Sequence, residues 1–102
     1  MNIIKKWFQL RRQRRRTLDI LNEKFAQYPA AWALLETCWS VCTWCQERMF
    51  AIGKTKVDTT PAGEKFTFYC TPEAYVCLRC QRVSRMPDGY VDQVNVADWV
   101  PQ

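Results

Sequence analysis

Two copies of one short cysteine motif constrain this chain more than any other feature of its 102 residues. Residues 41–46 read Val-Cys-Thr-Trp-Cys-Gln and residues 76–81 read Val-Cys-Leu-Arg-Cys-Gln, so both copies are Val-Cys-x-x-Cys-Gln. Two residues between cysteines let a tight turn direct both thiolates at one metal ion, and two such turns supply the four tetrahedral ligands that zinc prefers. The repeat therefore predicts one structural Zn²⁺ ion per chain, with the ligands Cys42, Cys45, Cys77 and Cys80.

The arrangement of the two pairs resembles a zinc ribbon, in which two metal-binding turns, called knuckles, lie at hairpin tips and hold one ion. The resemblance covers about residues 38–86 and implies a small antiparallel β body. Ribbon knuckles often carry proline inside the pair and glycine directly after it, and this sequence has neither. The sequence therefore leaves the turn geometry of its knuckles open.

Two further cysteines, Cys38 and Cys70, lie outside the repeat. Either one could replace Cys42 or Cys77 as a ligand if residues 30–50 formed a helix. All six could instead be reduced core residues, because free cysteine is among the most buried residue types. The paired repeat favours the metal site, since a structural metal supplies folding free energy directly to a short chain with few large aliphatic residues.

The absence of histidine narrows the possible chemistry. Without it the chain lacks the usual general base, the Ser-His and Cys-His nucleophile pairs and every mixed Cys/His zinc site. Its length corresponds to one domain of ordinary size, which excludes a multidomain enzyme. We therefore expect a protein that is not an enzyme.

Charge is concentrated at the N-terminus. Residues 1–16 contain seven basic residues and no acidic one, whereas residues 17–102 contain eight basic and ten acidic residues. Such a basic segment suits a polyanionic partner, and nucleic acid phosphates, an anionic membrane surface and an acidic protein surface are each compatible with it. The seven residues are Lys5, Lys6, Arg11, Arg12, Arg14, Arg15 and Arg16.

Within this segment, residues 11–16 read Arg-Arg-Gln-Arg-Arg-Arg. They resemble the arginine-rich helical arms with which some viral and phage regulators bind RNA. The resemblance implies a nucleic acid partner, DNA or RNA, with phosphates contacted by the seven basic residues. Three arginines within and after the second cysteine pair, Arg79, Arg82 and Arg85, are secondary candidates for phosphate contacts. In size and layout the short basic chain is also similar to small accessory proteins of phages and mobile elements. We expect a nucleic-acid-binding or transcription-associated regulatory protein.

The N-terminal segment, residues 1–29, is predicted to form a basic amphipathic helix that Pro29 ends or bends. Its apolar residues recur at three- and four-residue steps, and Arg14 lies within their stripe. The arginine block makes the first half of this stripe the weaker part. The alternative function is therefore a protein-interaction module that docks this helix on a large partner, such as the transcription machinery, without nucleic acid. The stripe consists of Ile3, Trp7, Leu10, Leu18, Leu21, Phe25 and Tyr28.

The remaining body, residues 30–102, is predicted to be mostly strands. Residues 30–50 admit either one helix or a short helix that ends near Thr37 and is followed by a knuckle at 42–45. Valine, threonine and aromatic residues then predict strands at 54–59, 65–70 and 75–86, with turns at 60–63 and 87–89. Residues 90–96 could pair back across the second turn. The expected fold class is α+β, a long helix followed by a small zinc-ribbon-like antiparallel body.

Targeting signals are not apparent in the sequence. Lys5 and Lys6 interrupt the first apolar residues, so no secretory signal peptide is expected. No window has enough uninterrupted apolar residues for a membrane span. We therefore expect a cytoplasmic protein, whose cysteines stay reduced rather than forming disulfides.

Overall fold

The computed structural model describes residues 3–28, 31–69 and 71–101. Within these ranges one long helix precedes an antiparallel β-sheet, which confirms the predicted α+β class. None of the helical residues in the described ranges forms a segment long and apolar enough to cross a membrane. The elements are α1 (Ile3–Ala26), β1 (Trp32–Val41), β2 (Arg48–Thr59), β3 (Lys65–Tyr69), β4 (Ala74–Cys77), β5 (Arg82–Ser84) and β6 (Val94–Asn95).

Strand β2 organises the sheet, whose strand order is β1-β2-β4-β5-β6. Its residues 48–54 pair with β1, residues 50–52 also pair with β4, and residues 55–59 pair with β3 in a separate hairpin. One cysteine turn joins β1 to β2 and the other joins β4 to β5. Because β2 and β4 are antiparallel neighbours, the two turns lie at the same end of the sheet.

The second half of α1 packs on the sheet and closes the hydrophobic core. Leu21 is fully buried there, with Leu18 and Phe25 packed around the core. At the end of the helix, the rings of Phe25, Trp32 and Trp99 have centroids 6.1–6.3 Å apart. The predicted stripe is thus confirmed for this half, although the helix ends at Ala26 rather than continuing to Tyr28. The core centres on Leu21, Ile52, Ala74, Val76, Leu78, Val83 and Val96.

The first half of α1 extends beyond the cysteine end of the sheet. Arg14 contacts Glu47 beside the first cysteine turn, and Thr17 contacts the carbonyl of Leu78 in the second. The preceding residues 3–9 and 11–13 are exposed. Residues 3–13 therefore form a projecting segment of the helix.

Both sequence interpretations of residues 30–50 are wrong in placing a helix before Thr37, because Trp32–Val41 is strand β1. Leu34 lies opposite Ile52 in the register and packs on the core. An irregularity between Glu36 and Val41 shifts that register, so the apolar residues do not follow the simple alternation of a strand. The helix-like spacing of the apolar residues is therefore produced by a bulge in an edge strand.

The other predictions for the body are largely confirmed. The turn at 42–45 is present, although β2 begins at Arg48 rather than near residue 54. The segment predicted as one strand at 75–86 is divided into β4 and β5 by the second cysteine turn. Residues 94 and 95 pair with β5, as expected for a segment that folds back. Pro29 and Cys70 lie outside the described residues, so the predictions for them stay predictions. The division of the chain into a helix at 1–29 and a body at 30–102 also stays a prediction.

Leu21→Ala tests the helix-to-sheet packing. Removing this fully buried side chain should lower the free energy of unfolding by about 2–5 kcal/mol, because the core loses apolar contacts and keeps a cavity. Chemical denaturation of the metal-loaded protein would measure this change in the free energy of unfolding. The control is Ile3→Ala, an exposed residue of the same helix whose truncation should change stability by less than about 0.5 kcal/mol. Equal effects would contradict the packing of α1 described above.

Candidate metal centre

The four cysteines of the repeated motif converge at one point. Their sulfur atoms all lie within 4.8 Å of one another. The Cys42 and Cys80 sulfurs are 3.9 Å apart, and those of Cys45 and Cys77 are 3.3 Å apart. A tetrahedron with metal–sulfur bonds of about 2.3 Å has sulfur–sulfur edges of about 3.8 Å. The four cysteines are therefore arranged so that they can bind one metal ion.

The repeated sequence corresponds to a repeated backbone turn. The N–H of Gln46 donates to the carbonyl of Cys42 at 2.9 Å, and the N–H of Gln81 donates to that of Cys77 at 2.9 Å. Both glutamines have positive φ, 66° and 58°, the left-handed region that favours glycine. The knuckles therefore have a left-handed position directly after each pair, with glutamine in place of glycine.

Burial and hydrogen bonding set the protonation of the thiols. Burial raises the pKa of Cys77 far above its ordinary value and that of Cys80 to about 12. At Cys42 burial also opposes ionisation, but hydrogen bonds from the backbone N–H groups of Cys45 and Trp44, together with those from the Cys45 and Cys77 side chains, outweigh burial and lower the pKa. Without a metal, at least Cys77 and Cys80 hold their protons at neutral pH. Metal binding must displace these protons, so its affinity should fall as pH decreases.

The loop between β5 and β6 is bonded to the first knuckle and the strand before it. The Ser40 hydroxyl donates to the carbonyl of Pro87, and the N–H and hydroxyl of Thr43 both approach the carbonyl of Asp88 at 2.8 Å. These bonds connect residues more than forty positions apart in sequence. The loop thus lies directly beside the first knuckle.

Gly89 allows this loop to approach the sulfur cluster closely. Its φ is 78°, and a Cβ atom there would lie 3.2 Å from the sulfur and methyl carbon of Met49 and 3.9 Å from the Cys42 sulfur. Met49 is itself buried against Cys42 and Cys77. A side chain at position 89 would therefore disturb both the turn and the packing around the centre.

Helix α1 is attached to both knuckles through polar contacts. Arg14 forms an ion pair with Glu47, and Arg79 approaches the same carboxylate at 3.9 Å. The bond to Glu47 raises the pKa of Arg14 against an opposing effect of burial. The Thr17 hydroxyl lies 2.8 Å from the carbonyl oxygen of Leu78 and is fully buried. Arg14 therefore contacts a residue directly after the first knuckle, and Thr17 contacts a residue within the second.

The predicted nucleic-acid-contacting residues fall into two groups. One group has intramolecular partners: Arg14 and Arg79 share Glu47, Arg82 donates to Gln93 at 2.9 Å, and Arg85 pairs with Asp92 at 3.2 Å. The other group is exposed along the first half of α1, where the Arg11 guanidinium lies over the Trp7 ring. It comprises Lys5, Lys6, Arg11, Arg12, Arg15 and Arg16.

Sequence reasoning missed the residues that connect the knuckles to the rest of the chain. Glu47 directly follows the first motif, yet nothing local marks it as a partner for Arg14. The role of Gly89 depends on a loop folding back over Met49. Cys38, an alternative ligand, is exposed on β1 and is not in the sulfur cluster.

No protein-family model, curated protein or solved structure matches this chain significantly. The four cysteines clustered within a small antiparallel β body nevertheless fit a zinc-ribbon-like module.

Replacing Gln46 and Gln81 by glycine tests the left-handed knuckle positions. A non-glycine residue in this region costs about 1–2 kcal/mol of strain, which glycine avoids. Part of this gain is lost, because glycine also gives the unfolded chain greater conformational freedom. The double variant should therefore be more stable by up to about 1 kcal/mol in denaturation of the metal-loaded protein. Gln46→Ala and Gln81→Ala are the controls, since alanine removes the same side chain without that freedom. Stabilisation by alanine but not glycine would contradict the geometry.

Proposed function

We propose that this chain is a small zinc-binding protein that binds nucleic acid through the exposed basic side chains at residues 5–16 of α1, and that it is not an enzyme. The observation that carries the proposal is a cluster of six exposed basic side chains on a helix attached to the metal centre. The metal has a structural role and the helix the binding role. Regulation of transcription is the proposed setting.

The identity of the ion as zinc is supported by its donor set. Four cysteine sulfurs lie within 4.8 Å of one another, and four cysteine ligands are typical of structural zinc sites, in which the protein supplies every ligand. Such a site leaves no open position for water or substrate. This favours a structural role for the ion.

Nucleic acid as the partner is supported by the distribution of charge along α1. Residues 3–16 carry no acidic side chain, and at 100° per residue Lys5, Arg12 and Arg16 share one face while Arg11 and Arg15 share the adjacent one. An α-helix with its side chains is about 10–12 Å wide, which suits the major groove of B-DNA. Guanidinium groups on such a helix can contact phosphates on either side of a groove.

The same charges repel one another, so the helical structure of the projecting segment depends on the attachment of α1 to the β body. Like charges four residues apart, as in the pairs Arg11–Arg15 and Arg12–Arg16, weaken a helix by a few tenths of a kcal/mol each. An isolated helix of this length would also be marginal in water. The packing of Leu21 and the ion pair of Arg14 therefore provide the folded turn from which this segment extends. A polyanion would remove the repulsion and stabilise the helix further.

Cys80→Ser tests the metal assignment. The wild-type chain should carry one zinc ion, and the variant should lose it together with cooperative unfolding, because metal binding supplies folding free energy. Native mass spectrometry with elemental analysis would count and identify the ion. Cys38→Ser is the matched control, since this exposed cysteine lies outside the cluster and should leave the zinc content unchanged. A metal-free wild type, or equal metal loss in both variants, would contradict the assignment.

Arg12→Gln with Arg16→Gln tests the basic helix. Removing two phosphate contacts should reduce the magnitude of the slope of log affinity against log salt concentration by nearly 2. If the wild type makes six such contacts, raising the salt from about 50 to 200 mM should lower its affinity by a factor of about 10³. Fluorescence anisotropy with a labelled DNA duplex would measure both.

Lys56→Gln with Lys65→Gln is the charge-matched control for this experiment. These exposed lysines lie on the β2–β3 hairpin, at the opposite end of β2 from the knuckles. The control should bind like the wild type. Equal losses in the two double variants would show only a general effect of net charge. Protein binding that is unaffected by salt and by both variants, without nucleic acid binding, would favour the docking alternative.

A further inference from the structure

A stacked pair of exposed aromatic rings lies beside the metal centre. The rings of Trp44 and Tyr90 are nearly parallel, with an interplanar angle of 19° and centroids 5.9 Å apart. Even when stacked, Trp44 remains 57% exposed and Tyr90 59% exposed. Neither ring belongs to the core, and neither is part of the metal site or the basic helix. We call these two residues the aromatic pair.

The backbone that carries the aromatic pair is held from both sides. Trp44 lies between the two cysteines of the first knuckle, and Tyr90 follows Gly89 in the loop that is bonded to that knuckle. The N–H of Tyr90 donates to the Asp88 carboxylate at 2.9 Å, and the Asp88 carbonyl accepts from Thr43 at 2.8 Å. A ring carried on a backbone held in this way loses less freedom when a flat ligand stacks on it.

A cleft of about 380 Å³ adjoins Trp44 and is also lined by Cys80 and Arg82. The Arg82 side chain is exposed, and one of its N–H groups donates to Gln93 at 2.9 Å. Because a guanidinium carries five N–H donors, this bond leaves donors for another acceptor. The cleft thus combines an aromatic surface with a positive charge. These two features are complementary to the flat base and the anionic phosphate of a nucleotide.

The aromatic pair lies at the same end of the molecule as the basic segment of α1. Glu47, three residues after Trp44, forms the ion pair with Arg14, and residues 3–13 project from that point. A nucleic acid strand bound along the basic segment would therefore approach the end of the molecule that carries the aromatic pair.

We propose that the aromatic pair is a stacking site for an unpaired base, so that it adds affinity for single-stranded nucleic acid and none for a duplex. This inference rests on the proposed function. A base within a duplex is stacked on both faces and cannot present one to Trp44, whereas an unpaired base can. Stacking on an aromatic side chain tolerates any base, and Arg82 would contact the adjacent phosphate. The basic charge nearby favours this occupant over an apolar protein surface.

Trp44→Ala with Tyr90→Ala tests the stacking site. The variant should bind a labelled oligo(dT) roughly tenfold more weakly, while its affinity for a duplex of the same length should stay within about twofold of the wild type. Trp44→Phe keeps an aromatic face and should retain most of the single-strand binding. Zinc content and the thermal unfolding midpoint of each variant would establish that the knuckle is intact.

Trp39→Ala is the matched control. Trp39 is 58% exposed and also contacts another ring, but it lies on β1 and meets Tyr75 edge-to-face at 5.6 Å. Its removal should leave both affinities unchanged. If Trp39→Ala weakens oligo(dT) binding as much as the double variant does, the effect is not specific to the aromatic pair and the inference is overturned.

The remaining outcomes separate this inference from the proposed function. A wild type that binds neither oligo(dT) nor duplex would refute the proposed function and, with it, the stacking site. A wild type that binds both, with the same single-strand to duplex ratio as the double variant, would refute only the stacking site. Concentration-dependent dimerisation that the double variant abolishes, without a change in this ratio, would instead identify the pair as a contact between two copies.

Discussion

The convergence of four cysteine sulfurs constrains the rest of this small structure. It joins the turn between β1 and β2 to the turn between β4 and β5, and so holds the ends of four strands together. Two of the later strands are only three and two residues long, too short to be stable without neighbours. The buried core of α1 and the sheet is also modest. A metal ion at this point would contribute folding free energy where apolar burial is limited.

The features that the sequence predicted correctly are those with a local or repeated pattern. The two cysteine pairs are recognisable because only two residues separate the cysteines that bind one ion. The helix is recognisable because its apolar stripe continues for several turns. The strand at Trp32–Val41 was not predicted, since a register shift after Glu36 disturbs its alternation. The contacts of Glu47 and Gly89 depend on strand order and a returning loop, which no local pattern encodes.

The arginine-rich segment divides into two roles that its sequence does not distinguish. Arg14 lies on the same side of the helix as Thr17 and Leu21, so it faces the body and pairs with Glu47. A zinc ion with four thiolates has a net charge of −2, and the sulfurs of Cys45 and Cys77 add to the attraction that Arg14 experiences. Arg79 shares the same carboxylate. Arg14 and Arg79 therefore place positive charge beside the centre. Under the proposed function, the six exposed basic side chains at residues 5–16 of α1 bind the external anion.

Under the proposed function, metal and nucleic acid binding are thermodynamically linked through α1. Metal loss would release the knuckles that carry Glu47 and Leu78, and thereby the contacts that anchor the helix at Arg14 and Thr17. The projecting segment would then lose the folded turn from which it extends, and its like charges would favour unfolding. Since linkage is reciprocal, a nucleic acid that prefers the docked helix must raise the affinity for the metal by the same factor. Under the proposed function, the cysteine centre would therefore stabilise the basic helix through the contacts of Arg14 and Thr17.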